Sequence, residues 1–280
     1  MEWQNNRRSS NVEDRRGGGA LVGGGIGLGG LLIVLIGWAF GIDPGTMLGF
    51  VEGSGIGQSQ SSTGSGKDDE AKRFLGAVLA STEDVWQPIF RQYGKSYREP
   101  TLVLFEGQVQ SACGISSSAT GPFYCSADQK LYIDPAFYRE MQKMGASGEF
   151  AFAYVVAHEV GHHVQNLLGI SDQVHQAQQR SSRAKANALS VRLELQADCL
   201  AGVWGNRADA AKAIIEPGEI EQALNAAAQI GDDRLQQRTQ GRVVPESFTH
   251  GSAAQRVRWF KRGMESGDLR QCDTFRADAL

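Results

Sequence analysis

The chain has no basic excess: its 280 residues carry a net charge of −3, which argues against a nucleic-acid partner. It has no CxxC pair, which removes the zinc-ribbon class. It has no GxxxxGK[ST] pattern either, which removes a phosphate-cradling loop. Its 35 glycines follow no Gly-X-Y period, so a collagen-like helix is excluded. Cysteine and histidine are scarce, at four and five, so each one has to be placed. The most local absence is of charge: Ala20–Phe40 contains none, and no Lys or Arg occurs between Arg16 and Lys67.

What fills the first of these gaps is apolar. ALVGGGIGLGGLLIVLIGWAF, if helical, spans about 31 Å, the thickness of a bilayer's hydrocarbon core. Its glycines would make a poor helix in water but are tolerated in lipid. The leader before it is long and contains acids, and no small-residue cleavage site follows, so an uncleaved anchor over 20–42 is expected rather than a signal peptide. Arg7, Arg8, Arg15 and Arg16 precede it. The positive-inside rule then predicts a cytoplasmic segment 1–19 and everything after the span outside. Small-xxx-small spacings such as Gly23/Gly27 and Gly25/Gly29 would allow a homodimer through the span. Residues 43–67, rich in Gly, Ser and Gln, read as a flexible tether.

From residue 68 the pattern becomes globular. Phe74, Leu75, Val78, Leu79, Val85, Trp86, Ile89 and Phe90 recur at helical spacings, with a break around Ser81–Asp84. That predicts one long amphipathic helix or two in tandem. TLVLFEG after Pro100, residues 107–113, FYCS and KLYID read as strands, and Asp134-Pro135 as a helix start. The cysteines are either free and buried or, outside the membrane, paired in one of three ways. Cys113 and Cys125 flank a short loop suited to a local bridge, which leaves Cys199 with Cys272.

The chemistry lies in His158-Glu159-Val160-Gly161-His162. On a helix, positions i and i+4 differ by about 40° around the axis, so both imidazoles reach one Zn²⁺. Glu159, about 100° round, sits beside the metal as general base for a zinc-activated water. His163 points off that face, and His175 lies in a Gln-rich stretch expected to be exposed. A hydrolytic zinc site needs a third protein ligand. In RLELQADCLAGVW, Glu194 and Asp198 share one face of an otherwise apolar helix, where acids are costly unless paired. Glu194 is expected as the third ligand, and Asp198 as the acceptor that orients a liganding imidazole. His250 has two readings: a loop residue beside a helix capped by Ser252, or a donor to the oxyanion of the tetrahedral intermediate.

These motifs resemble the gluzincin metallopeptidases, whose pattern is HExxH followed by ExxxD. A closer resemblance covers nearly the whole chain. Trp3–Arg16 with Asn11-Val12-Glu13-Asp14-Arg15-Arg16, CGxxxxxxGPFYCxxDxxxYxD from Cys113 to Asp134, HExxHH, ELQADCxAGxW and HGxxxQRxxWF are similar to the bacterial family described as putative neutral zinc metallopeptidases. The resemblance implies zinc peptidase chemistry on a peptide or protein substrate, in a single-pass protein of the bacterial cytoplasmic membrane.

The expected fold is α+β and zincin-like, over 68–280: a small, mostly antiparallel sheet beside the HExxH helix, with helical packing after it. The expected function is peptide-bond hydrolysis in an extracytoplasmic or periplasmic domain. The sheet edge near residues 101–113 could hold an extended substrate. Two other readings keep the metal: a membrane-tethered binding or assembly module without catalysis, and a zinc hydrolase of non-peptide amides.

Overall fold

The computed structural model describes residues 1–17 and 69–280. The apolar span 20–42, its small-residue spacings and the 43–67 tether lie outside the described residues. Among those described, no helix is long and apolar enough to cross a membrane. They form eight α-helices, a four-stranded sheet and a two-stranded hairpin, an α+β arrangement.

Strand β1 (Val12–Asp14) precedes helix α1 (Glu70–Gln92). Asp69 caps α1 by accepting from the Lys72 N–H, which satisfies one of the open donors of the first turn. Helix α1 runs unbroken through Ser81–Asp84, where the apolar spacing lapses. Its polar residues there serve a docked segment: Glu83, 1% exposed, accepts from Ser9 Oγ and Asn11 Nδ2. The lapse in hydrophobicity is therefore a polar docking face and not a helix end.

The main sheet has the order β1-β2-β6-β5, with β2 at Thr101–Leu104, β5 at Phe123–Cys125 and β6 at Lys130–Ile133. Strands β1, β2 and β6 are parallel, and only β5 is antiparallel, to β6. The expectation of a mostly antiparallel sheet is corrected here. The causes are the β2–β6 pairing, a crossover that no local pattern marks, and β1, whose three residues are too few to show an alternation. It joins Met1–Asp14 to the folded unit of the domain, whereas the sequence reading set 1–19 apart from 68–280.

Strand β2 also lies between β1 and β6, so residues 101–104 are no sheet edge; β5 is. Strands β3 (Gln108–Ser111) and β4 (Gly114–Ser117) pair separately. Alternation along β2 and β6 divides the core. Leu102, Leu104, Leu131 and Ile133 face the helices. Val103 and Tyr132 face a small second cluster with Phe105, Val109 and Cys125, where the cross-strand rings of Phe123 and Tyr132 stack at 4.8 Å.

Helix α2 (Phe137–Lys143) follows the sheet. The core then closes around α3 (Glu149–Leu167), buried along almost its whole length. After α4 (Ile170–Gln179) comes α5 (Arg183–Lys212), which packs against α3 and α8 (Ala253–Ser266). Gly202 on α5 faces the backbone of Phe260 and Met264, and Gly263 on α8 faces that of Cys199. Any side chain at either position would force these helices apart. Helices α6 (Glu219–Gln229) and α7 (Asp232–Gln240) complete the fold. Both expected disulfides are present, Cys113–Cys125 and Cys199–Cys272.

Candidate metal centre

The site is built where α3 crosses α5. His158 and His162 lie one turn apart on α3, their ring centroids 4.8 Å apart and perpendicular. Glu194 reaches in from α5: its Oε2 is 3.2 Å from His158 Nε2, and its Oε1 is 3.4 Å from His162 Nε2. One ligand atom from each of the three lies within 4.8 Å of the others, so the cluster could hold a metal ion.

The crossing is close because residue 161 of the HExxH motif is glycine. A Cβ there would sit 3.0 Å from the carbonyl oxygen of Ala197 and 3.1 Å from its Cα. Gly161→Val should push α5 outward and carry Glu194 off the imidazoles. The expected cost is about 1–3 kcal/mol of stability together with weaker zinc binding, read by thermal denaturation and chelator competition.

Each imidazole is oriented through its other nitrogen. His158 Nδ1 lies 2.8 Å from Asp198 Oδ1, so the Nδ1–H donates and Nε2 faces the centre. His162 Nδ1 lies 2.9 Å from Gln165 Oε1 and does the same. The Gln165 amide donates onward to Leu193 O and Gln196 Oε1, and Gln196 donates to Cys272 O. The donors thus all point one way, from His162 towards the disulfide-tied tail. Such contacts fix the tautomer and aim of a liganding imidazole.

Asp198 is fully buried and shared. Arg256 of α8 binds it with two N–H groups, at 2.9 Å each, and Tyr154 donates to it at 2.6 Å. Burial opposes its charge, but the Arg256 guanidinium and the His158 ring outweigh burial and hold its carboxyl at about 2. Burial likewise opposes charge on His158, but Asp198 and Glu194 overcome it and raise the ring to about 10. Burial raises the Glu159 carboxyl, against the pull of the two imidazoles. Positive charge is favoured at the centre, with a proton acceptor beside it.

These residues open onto a cleft of about 500 Å³, lined also by Tyr124, Phe137, Val155 and His250. Ser252 does cap α8, in a capping box with Gln255, and His250 lies in the loop just before it. It lines the cleft, and its Nδ1 lies 3.2 Å from Asp232 Oδ1. Asp232 also gathers the backbone N–H groups of Thr249, His250 and Gly251. The hydrogen bond that its ring N–H donates to Asp232 is the main cause that raises the His250 ring above its ordinary value.

His163 points away from the centre, as its position implies. It is fully buried, and burial lowers it to about 4. Its Nε2–H donates to Arg98 O, so its Nδ1 accepts from Tyr124 Oη, and the neutral ring pins β5 to α3. His175 is exposed on α4.

Sequence reasoning missed Arg256, Gln165 and Asp232. Arg256 had a signal: it shares a three- and four-residue spacing with Ala253, Trp259, Phe260 and Gly263, the buried face of α8. A charge on such a face needs a partner. Gln165, buried one turn after His162, carried a similar signal. Asp232 carried none.

The profile of the family described as "Putative neutral zinc metallopeptidase" matches residues 1–275. The chain is 51% identical to the protein YpfJ of Escherichia coli K12, over 98% of this chain and 99% of that protein. It is 43% identical to Rv2575 of Mycobacterium tuberculosis H37Rv and to Mb2605 of Mycobacterium bovis, over 86% of this chain and 85% of each. All three carry the description "uncharacterized protein". No solved structure matches the chain.

Proposed function

Because the chain belongs to the putative neutral zinc metallopeptidase family, we propose that it hydrolyses peptide bonds at the α3–α5 crossing. The observation that carries this reading is the convergence of His158, His162 and Glu194 at the floor of an open cleft, with Glu159 beside them. Two imidazole nitrogens and one carboxylate oxygen form the donor set of a catalytic zinc site, which keeps one position open. Both rings already present Nε2 to the centre.

Zinc, when bound, supplies Lewis-acid polarisation of water and of the scissile carbonyl. Glu159 takes the proton of the attacking water and delivers it to the leaving amine nitrogen. His250, held by Asp232, donates to the oxygen on which negative charge develops. Asp198 and Gln165 keep the liganding rings from turning. The exposed edge of β5, which brings Phe123 and Tyr124 to the cleft, suits an extended substrate paired as an added strand. Of the edge near 101–113 expected from sequence, residues 101–104 are interior to the main sheet and 108–111 belong to the separate β3–β4 hairpin.

The two disulfides support placement of the folded unit outside the reducing cytosol. The reading is tested by zinc analysis of the full chain with a broad peptide library, comparing wild type with Glu159→Gln. Equal cleavage by both, or none at full zinc occupancy, would favour the binding-module alternative. Cleavage of non-peptide amides alone would favour the other.

A protonated His250 as donor gives a pH signature. Its pKa is raised, so the donor is present at low pH and lost as pH rises through that raised value. Asp232→Asn removes the main cause, so the alkaline limb of the kcat profile should move to lower pH. An unmoved limb would leave His250 without this part.

A further inference from the structure

We propose that the carboxyl-terminal tail is a working part of the metal centre: the Cys272 carbonyl, acting through Gln196 and Gln165, sets which ring nitrogen of His162 is free to take a metal. Gln196 is thereby a positioning residue. This rests on the reading of the α3–α5 crossing as a zinc site, and it stands whether or not that site cleaves peptides.

A neutral imidazole has one N–H donor and one acceptor nitrogen, and only the acceptor binds a metal. A glutamine beside the ring does not decide between them, because an amide offers oxygen or NH₂ according to how it is turned. A backbone carbonyl cannot be turned in this way; it only accepts. Two carbonyls stand at the far end of this relay. The Gln165 amide donates to Leu193 O at 2.7 Å and to Gln196 Oε1 at 3.1 Å. The Gln196 amide donates to Cys272 O at 2.9 Å. With Cys272 O as acceptor, Gln196 turns its NH₂ to the tail and its oxygen to Gln165. Gln165 then turns its NH₂ to α5 and its oxygen to His162 Nδ1, 2.9 Å away. The ring proton is held at Nδ1, and the Nε2 lone pair is left for the metal. Gln165 and Gln196 are both buried, so bulk water does not stand in for a lost member.

The tail is fastened at the point where that carbonyl is needed. Arg192, Gln196 and Cys199 recur at spacings of four and three, on a side of α5 that Glu194 and Asp198 do not share. Cys199 is bonded to Cys272. Thr274, fully buried, donates to Arg192 O at 2.6 Å. The Arg192 guanidinium donates back to Thr274 O and to Ala277 O. These contacts fall on the turns of α5 that carry Glu194, so the clamp that orients His162 also steadies the carboxylate opposite it. Beneath the tail, between it and α4, lies an open groove of about 710 Å³ lined by Val174, Leu189 and Phe275. Apolar packing there is incomplete, and the disulfide with these hydrogen bonds holds 272–274 in place.

The test is zinc affinity of the full chain by chelator competition, with thermal denaturation to show that each variant is folded. Gln196→Met keeps the length of the side chain and removes both polar atoms; it should weaken zinc binding about tenfold, the lower end of the range for a partner outside the ligand set. Gln196→Glu keeps an oxygen acceptor towards Gln165 and should bind zinc much as wild type does. Gln165→Leu combined with Gln196→Met should be no weaker than Gln165→Leu alone, because Gln196 acts only through Gln165. Removing the disulfide as Cys199→Ala with Cys272→Ala should weaken zinc binding in the wild-type chain and add nothing to Gln196→Met. Wild-type affinity in Gln196→Met, equal loss in Gln196→Glu, or losses that add in either combination would overturn the proposal. A wild-type chain that binds no zinc would overturn the centre and the relay together. Gln196→Leu serves in place of Gln196→Met should that variant fail to accumulate.

Discussion

Glu159→Gln is expected to lower kcat for peptide hydrolysis by about 10²–10⁴-fold, the usual worth of a positioned general base, while zinc content per chain stays unchanged. The substitution keeps size and shape but cannot take a proton. Glu159 lines the cleft beside the three converging ligands and is no member of that set, so its loss should not release metal. Burial raises its carboxyl above the ordinary value. That suits a group which must accept a proton at one step and surrender it at the next. Hydrolysis and metal content are measured on the same preparation. Loss of zinc in the variant would make Glu159 a ligand, and full activity would remove it from the reaction.

Asp198→Ala is expected to damage both fold and site. The carboxylate is the common acceptor for Arg256, Tyr154 and His158. Its removal leaves a guanidinium 3% exposed without the carboxylate that both of its N–H groups bind. Breaking a buried pair in this way costs about 3–5 kcal/mol. The loss of the His158 acceptor should weaken zinc binding by about 10–100-fold. Asp198→Asn keeps an acceptor and should be milder in both respects.

The wild-type contribution also has a pH window. Asp198 is held at about 2, below its ordinary 3.8. Its stabilisation is therefore complete above 3.8 and lost as pH falls through about 2. Thermal denaturation against pH, with zinc affinity by chelator competition, reads both effects. Unchanged zinc affinity in Asp198→Ala would reduce the residue to a structural partner of Arg256.

Much of the site was legible because it is written in local spacing. His158 and His162 share a face by helical geometry alone, as do Glu194 and Asp198, and acids on an apolar helix announce a partner. The disulfide pairs followed from the short Cys113–Cys125 loop and elimination. Other parts had no local period to read. Arg256 lies 58 positions from Asp198, and Asp232 lies 18 from His250. Only the packing of α8 and α7 brings each pair together. The parallel character of the sheet came from the β2–β6 crossover and from Val12–Asp14, a strand too short for alternation to mark.

Sequence by itself determined the candidate metal-binding residues and the helices that carry them, because side-chain type and helical period are properties of neighbouring residues. It also marked Ala20–Phe40 as a charge-free apolar stretch of spanning length. Tertiary structure alone decided how the parts are arranged: which edge faces the cleft, what holds each imidazole, and that the arm before the apolar stretch lies in one sheet with the domain after it. The absence of charge over Ala20–Phe40 measures hydrophobicity and carries no information about where the chain before it packs. That depends on a strand pairing between residues 12–14 and 101–104, a long-range contact fixed by the fold.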